Sequence, residues 1–329
     1  VQKYTYFIYF CRNLKKTEMK RVFAILLPLL AALNLAAQEG RPDMEIKQFE
    51  EQKVESGREY YGDLPARMTK VVIAGDNSMT DLIFKNAVEE SWNISPFEFC
   101  DYEEFDRIKT DTNYYFLMRL DKMHRSENDP VMEFVCYLKG NEKAADNISA
   151  MPELISLPLF PENDNSDRIY SYLPAYMNII QNYLQKIVDG RIYPSKRGVV
   201  QTGVFEKNRN TKVLFRKGDL AYQPAMQEFE RMFRGRAEEV AQDDIDQALS
   251  SSTPNTLVSL VVAPSEIYGK AYCYKMIISA DTYELFYWKR HKLSAKKGPG
   301  FLKADLKRIS KLITPDFKPV KAADKEKEK

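Results

Sequence analysis

The sequence predicts an α/β protein, an α+β sandwich made of two tandem similar domains, each a mixed sheet flanked by helices. Three observations support this fold class. The chain has 329 residues, which is more than one typical domain needs. Some segments alternate apolar and polar residues with the period of a strand, whereas others place apolar residues at helical spacing. Segments of both kinds recur in the same order in the two halves.

The recurrence has an offset of 142 residues at three places. The match is one of order and spacing rather than of residue identity. The paired segments are Thr69-Lys70-Val71-Val72 with Thr211-Lys212-Val213-Leu214, Asp101 with Asp243, and Tyr115-Phe116 with Leu257-Val258. We therefore expect both halves to share one plan of strands and helices.

Five strands are predicted in each half, from short β-rich or alternating segments. In the first half they are Val71 to Ala74, Phe97 to Cys100, Tyr114 to Leu120, Met132 to Leu138 and Leu154 to Leu157. In the second half they are Val213 to Arg216, Glu238 to Ala241, Leu257 to Val262, Tyr272 to Ser279 and Glu284 to Lys289.

Three helices are predicted in each half. The first helix has one apolar face, made of Leu82, Ile83, Ala87, Val88 and Trp92 in one half and of Met226, Phe229 and Phe233 in the other. Asp101 and Asp243 are predicted to cap the second helix, and Glu104 completes a capping-box pattern after Asp101. The closing helices carry the stripes Met177, Ile180, Leu184 and Ile187, between Pro174 and Gly190, and Leu302, Leu306, Ile309 and Ile313, before Pro315.

One segment of the first half resembles a known family. Ser95-Pro96-Phe97-Glu98-Phe99-Cys100-Asp101, with Phe105 and Ile108, is similar to the strand and short helix of the TolB N-terminal domain and of periplasmic α/β domains in curli-secretion and penicillin-binding-protein activator lipoproteins. The chain lacks the lipoprotein cysteine and the β-propeller repeats, and a second α/β copy stands in their place. The resemblance implies an envelope protein that works through protein contacts, without a catalytic site to carry over.

A secretory signal peptide is predicted at residues 19–37. Lys20 and Arg21 form its basic region, Val22 to Leu35 is almost wholly apolar, and Leu35-Ala36-Ala37 offers small residues for cleavage. The apolar run of 14 residues is shorter than the roughly 20 that span a bilayer. We therefore expect an exported protein, periplasmic or extracellular, that is soluble and not membrane-spanning after cleavage. A retained anchor is the alternative.

Composition predicts the remaining boundaries. Residues 1–18 are predicted to be upstream read-through, 38–66 an N-terminal extension, 67–191 the first domain, 192–209 a polar linker, 210–314 the second domain and 315–329 a disordered basic tail.

Charge is distributed unevenly along the chain. Residues 1–37 carry six Lys or Arg and one Glu, and residues 289–329 carry fourteen basic and five acidic side chains. The basic end suits lipid phosphates or another polyanion. The alternative is a solvated helix face followed by a disordered tail. Export and the lack of a recognition motif argue against nucleic acid.

The cysteines Cys100, Cys136 and Cys273 are widely spaced, which gives neither a metal signature nor a disulfide framework. Each lies in an apolar, strand-like context, so we expect buried free thiols. A bridge between Cys136 and Cys273 is the alternative, because exported chains can oxidise.

Candidate ligand-binding residues occur at two turns. Gly75-Asp76-Asn77-Ser78 resembles the Gly-Asp-Ser block of SGNH esterases, but Asn77 separates Asp76 from Ser78, and Trp288 stands where the family has Asp before its late histidine, here His291. The alternative is a strand-to-helix turn whose side chains cap the helix. Lys296 and Lys297 precede the last helix, where an anion can bind. No catalytic residues, metal or cofactor are predicted.

These observations favour an exported envelope protein that acts as a non-catalytic binding or scaffolding module for an envelope protein or a polyanionic surface. The alternatives are a divergent hydrolase that uses Ser78 and a glycan or small-ligand carrier with an interdomain cleft. Tyr170, Tyr172, Tyr176 and Tyr183 in the first half, with Tyr283, Phe286, Tyr287 and Trp288 in the second, are the aromatic groups for such a cleft or for the core.

Overall fold

The computed structural model describes residues 57–75, 78–122, 129–161, 167–194, 211–264, 266 and 269–313. Residues 1–18, the predicted signal peptide, the basic tail, and most of the predicted N-terminal extension and linker lie outside the described residues, as do Asp76, Asn77 and His124. None of the described helices is long and apolar enough to cross a membrane.

The described part of the first repeat is a five-stranded mixed sheet with three α-helices and short 3-10 helices between them. In chain order its elements are β1 (Thr69–Val72), α1 (Met79–Ser91), β2 (Phe97–Cys100), α2 (Tyr102–Ile108), β3 (Tyr115–Lys122), β4 (Met132–Lys139), β5 (Glu153–Pro161) and α3 (Leu173–Val188). The strand order is β2-β1-β3-β4-β5. The first three strands are parallel, and β4 and β5 complete the sheet as antiparallel neighbours.

The second repeat has the same plan. Its elements are β6 (Lys212–Arg216), α4 (Met226–Phe233), β7 (Ala237–Val240), α5 (Gln242–Ser250), β8 (Thr256–Val262), β9 (Tyr272–Ser279), β10 (Leu285–Lys292) and α6 (Lys303–Ile313). The strand order β7-β6-β8-β9-β10 repeats that of the first sheet. The predicted fold class, two similar mixed sheets flanked by helices, is therefore confirmed.

Strand pairing shows which residues are equivalent in the two repeats. Tyr115 pairs with Thr69 in the first sheet, and Leu257 pairs with Val213 in the second. Tyr115 thus matches Leu257, as the offset of 142 predicted. Thr69, however, matches Val213 rather than Thr211, because the connections between the strands differ in length.

The capping prediction was right for one repeat and wrong for the other. Asp101 caps α2, and its Oδ1 accepts the Glu104 N–H at 2.7 Å. The N-cap of α5 is Ala241 instead of Asp243. The Ala241 N–H donates to Asp244 Oδ2 at 3.0 Å, so the helix begins two residues earlier than the sequence offset predicted.

Two residues placed on apolar helix faces are exposed instead. Leu82 in α1 is 53% exposed and Met226, the first residue of α4, is 86% exposed. The buried face of α1 is formed by Phe84, Ala87 and Val88. Helical spacing identified the helices, but it did not show where their first turns lie relative to the sheet.

The two repeats share a hydrophobic core. One continuous cluster of buried residues includes α3 and the first sheet together with one face of the second sheet. A second cluster lies between the other face of that sheet and helices α4 and α6. The Phe134 and Tyr274 rings contact each other with centroids 5.7 Å apart, and Asn178 donates to the Thr282 carbonyl at 2.8 Å.

The cysteine prediction is confirmed: Cys100, Cys136 and Cys273 are buried and free. Burial raises the pKa of the Cys136 thiol to about 12 and those of the Cys100 and Cys273 thiols to about 11. All three therefore carry their protons at neutral pH, as structural thiols do.

Candidate functional site

The turn between β1 and α1 was the most specific enzymatic candidate in the sequence. Ser78 is the N-cap of α1, and its Oγ accepts the Asp81 N–H at 3.2 Å. Gly75 has a φ of 74°, a left-handed conformation that suits glycine, and its N–H donates to Asp81 Oδ2 at 3.1 Å. The structure therefore shows the capping role of Ser78, while ligand binding by Asp76, Asn77 and Ser78 stays a prediction.

An ionic cluster next to this turn was not found from the sequence. The Arg119 guanidinium binds Asp81 Oδ1 at 2.6 Å and Glu133 Oε1 at 3.2 Å. Burial raises the pKa of Glu133, although Arg119 opposes the shift. One guanidinium thus holds two carboxylates, which joins α1, β3 and β4. An arginine within a predicted apolar strand was the only sequence signal for this cluster.

The turn between β1 and α1 lies at one end of the first sheet, and in the second sheet a tyrosine from the first repeat covers the equivalent end. In α/β sheets this end, at the carboxyl ends of the parallel strands, is where ligands usually bind. The Tyr172 hydroxyl donates to the Ser259 carbonyl at 2.6 Å, and the Ser259 hydroxyl donates to Asp219 Oδ2 at 2.8 Å. Burial raises the pKa of Asp219, against the charge of Arg216. The polar groups here hold the two repeats together.

A buried ion pair lies beneath α6. Lys275 on β9 is fully buried, and its Nζ donates to Asp305 Oδ2 at 2.5 Å. Asp305 also accepts hydrogen bonds from the Tyr287 hydroxyl at 2.8 Å and the Leu302 N–H at 2.9 Å. Burial alone would raise the pKa of Asp305, but these hydrogen bonds outweigh it and lower the pKa. The carboxylate is therefore ionised and saturated.

Exposed cations surround this buried pair and form a basic surface on β10, the following loop and α6. All nine Lys and Arg residues of 289–313 are exposed. They are Lys289, Arg290, Lys292, Lys296, Lys297, Lys303, Lys307, Arg308 and Lys311. The one acidic residue in that range is Asp305, which is 1% exposed. The surface is therefore positively charged over its whole length.

Most of these cations have no acidic partner in the described part of the chain. Lys289 lies 3.3 Å from Asp305, and Lys303 lies 3.0 Å from Glu228. The other seven form no ion pair within the described ranges. An anionic ligand would therefore displace few existing contacts.

The predicted anion-binding residues Lys296 and Lys297 belong to this surface. They lie in a turn in which the Lys297 N–H donates to the Ser294 carbonyl at 2.9 Å. His291 faces the same turn, with its Nε2 3.0 Å from the Gly298 carbonyl oxygen. Burial lowers the pKa of His291, and the charge of Lys275 adds to this effect. The positive charge here thus comes from the lysines rather than from the histidine.

The described residues contain no group of three or more His, Cys, Asp or Glu side chains that could bind a metal ion.

Comparisons with known proteins found no counterpart for this chain. No family model matches it, and neither a curated protein nor a solved structure is significantly similar to it. The function is therefore inferred from the geometry of the described residues.

Proposed function

We propose that this protein is an exported, non-catalytic binding module whose basic surface binds an anionic polymer or an anionic surface. The observation that carries the proposal is the set of nine exposed cations on β10, the loop and α6, whose sole acidic neighbour in sequence, Asp305, is buried and saturated. The signal peptide predicted at residues 19–37 supports a role outside the cytoplasm.

The arrangement of the charges favours binding over solvation alone. On α6, Lys303, Lys307 and Lys311 follow one another at four-residue spacing, and Arg308 lies beside them. Side chains at this spacing share one helix face. Arg308 lies near enough to β10 for its charge to act on Tyr287, and Lys289 on β10 contacts Asp305 on α6. Lys289 and the cations of the helix thus lie on one side of the sheet, and Arg290 and Lys292 continue the basic surface around the edge strand β10.

A polyphosphate binding assay tests the proposal. Lys307→Glu, Arg308→Glu and Lys311→Glu in one variant reverse three exposed charges of the basic surface. A control variant with Arg107→Glu, Lys143→Glu and Lys217→Glu changes the net charge equally at exposed positions elsewhere. We expect at least about tenfold weaker binding for the first variant only, and weaker binding of the wild type at high salt. Equal losses in the two variants, or no binding by the wild type, contradict the proposal.

A further inference from the structure

The face of β10 that points away from α6 combines aromatic rings with cations. Trp288, Arg290 and Lys292 alternate with Lys289 and His291 along the strand, so they share this face. The Trp288 ring packs against Tyr274 on β9, with centroids 5.9 Å apart. Trp288 is partly exposed, whereas Tyr274 is buried. The exposed part of the indole therefore rests on a rigid aromatic support.

A second aromatic ring extends this face toward the end of the strand. The Arg290 guanidinium lies over the Tyr272 ring, 5.3 Å from its centroid, and Tyr272 is partly exposed. Lys292 is directly opposite Tyr272 in the pairing of β9 and β10. Two partly exposed rings and two exposed cations thus form an aromatic face of four residues, Tyr272, Trp288, Arg290 and Lys292.

The aromatic face and the basic surface meet on β10, which is an edge strand of its sheet. A ligand that lies along this edge meets cations on both faces of the strand and aromatic rings on one of them. Such a ligand needs repeated negative charges together with flat apolar groups that pack on an indole or a phenol ring. An acidic polysaccharide has both features. Each sugar ring has an apolar C–H face, and carboxylates recur at regular intervals along the polymer.

Other polyanions match this edge less well. Polyphosphate has the charges but no apolar group for Trp288 or Tyr272. An anionic bilayer binds clustered cations through its headgroup charges, but it leaves the rings without a partner, because Trp288 is held against Tyr274 within the sheet and does not reach into the bilayer. Single-stranded nucleic acid has charges and rings, but the predicted signal peptide directs the chain away from it.

We propose that the aromatic face and the basic surface together bind an acidic polysaccharide along β10. This inference rests on the proposed function, because the basic surface supplies most of the charge. The aromatic face adds selectivity for sugar rings over other polyanions.

Intrinsic fluorescence provides a test that does not depend on a variant at the site. The chain has two tryptophans, and Trp92 is 5% exposed in the core. A Trp92→Phe variant therefore reports from Trp288 alone. We expect oligogalacturonate to shift or quench this emission and polyphosphate to leave it unchanged. Binding of oligogalacturonate without any change in Trp288 emission overturns the inference.

Substitution at the aromatic face gives a second, independent measurement. Trp288→Leu and Tyr272→Leu remove the rings and keep apolar side chains, and Tyr102→Leu is the control at an exposed ring of the first repeat. We expect each of the first two variants to bind oligogalacturonate about tenfold more weakly, with polyphosphate binding unchanged. The control should match the wild type for both probes.

The outcomes separate this inference from the proposed function. If the protein binds polyphosphate and shows no preference for oligogalacturonate, the proposal of an acidic polysaccharide ligand is refuted and the proposed function is not. Tighter binding of anionic vesicles or of single-stranded oligothymidylate also refutes it. Failure of every polyanion to bind refutes both proposals.

Discussion

Phe134 and Tyr274 occupy the same position in the two repeats, and their rings pack edge to face at a centroid distance of 5.7 Å. Phe134 pairs with Leu120 in the first sheet, and Tyr274 pairs with the matching Val262 in the second. A residue that contacts its own equivalent lies close to an axis that relates the two copies. The symmetry between the two repeats is incomplete. Tyr172 precedes α3 and bonds Ser259 of the other repeat. Leu302 holds the equivalent position before α6, and it has no hydroxyl with which to form a matching bond.

This shared packing predicts that the two repeats unfold together. Phe134→Ala should lower the free energy of unfolding by about 3 to 5 kcal/mol, as for other buried phenylalanines. A double-mutant cycle with Tyr274→Ala should give a coupling of about 0.5 to 1.5 kcal/mol. Urea unfolding can be followed separately by Trp92 in one repeat and Trp288 in the other, using Trp92→Phe and Trp288→Phe variants. Two separate transitions would contradict the prediction.

The buried pair Lys275 and Asp305 predicts a large effect from removing one partner. Lys275→Met removes the buried cation of Asp305 and leaves only the half-exposed Lys289 beside the carboxylate, which should cost about 3 to 5 kcal/mol of unfolding free energy. Combining Lys275→Met with Asp305→Leu removes both charges and should recover part of that loss. Urea denaturation measures both variants. Strictly additive losses would show that the two side chains do not interact.

The same carboxylate predicts a loss of stability in acid. The pKa of Asp305 is lowered in the folded protein, so folding favours its ionised form. This contribution is fully present above the unfolded-state pKa of about 3.9 and is lost as the pH falls through the folded-state pKa. We expect the free energy of unfolding to fall below about pH 4 in the wild type. Asp305→Asn should flatten this part of the pH profile.

Two glycines of the loop before α6 provide a matched pair. Gly300 has a φ of 115°, and a Cβ there would lie 2.4 Å from the Asp219 carbonyl oxygen. Gly300→Ala should therefore destabilise the protein by about 1 to 3 kcal/mol or more. Gly298→Ala is the control, since a Cβ there has nothing within 4 Å. Thermal melting compares them, and equal melting temperatures would contradict the prediction.

Substitutions of Ser78 distinguish a helix-capping role of this residue from a role as a nucleophile. Ser78→Ala removes the acceptor for the Asp81 N–H and should cost about 0.5 to 2 kcal/mol of stability. Ser78→Asp keeps a capping oxygen and should retain near-wild-type stability. We expect neither variant to change the turnover of ester substrates. Turnover that disappears in both variants would support the hydrolase alternative instead.

Local patterns predicted the elements well where side-chain periodicity was unambiguous. The strands Phe97–Cys100 and Tyr272–Ser279 have the predicted bounds, because short apolar segments there are bounded by turn or helix signals. Leu82 and Met226 were wrongly predicted to be buried, because helical spacing shows which residues share a face of the helix and not which of them contact the sheet. Asp243 was misassigned because the offset of 142 residues does not hold throughout the repeat.

The ionic clusters illustrate what local patterns miss. Arg119 and Asp81 are 38 residues apart in sequence, and Lys275 and Asp305 are 30 apart. Nothing in the neighbourhood of either residue indicates its partner. The basic character of residues 289–313, in contrast, is visible in the sequence, because like charges close together in the chain need no fold to be counted.

The sequence by itself determined the order of strands and helices, the duplication and the basic end, since these depend on residues a few positions apart. The tertiary structure alone decided that Phe134 meets Tyr274, that Tyr172 closes the end of the second sheet, and that Asp305 is buried with Lys275 beneath the exposed cations. Those outcomes depend on contacts between distant parts of the chain. These contacts form when the apolar surfaces of sheets and helices pack against one another, and the sequence near each residue does not show which surfaces will meet.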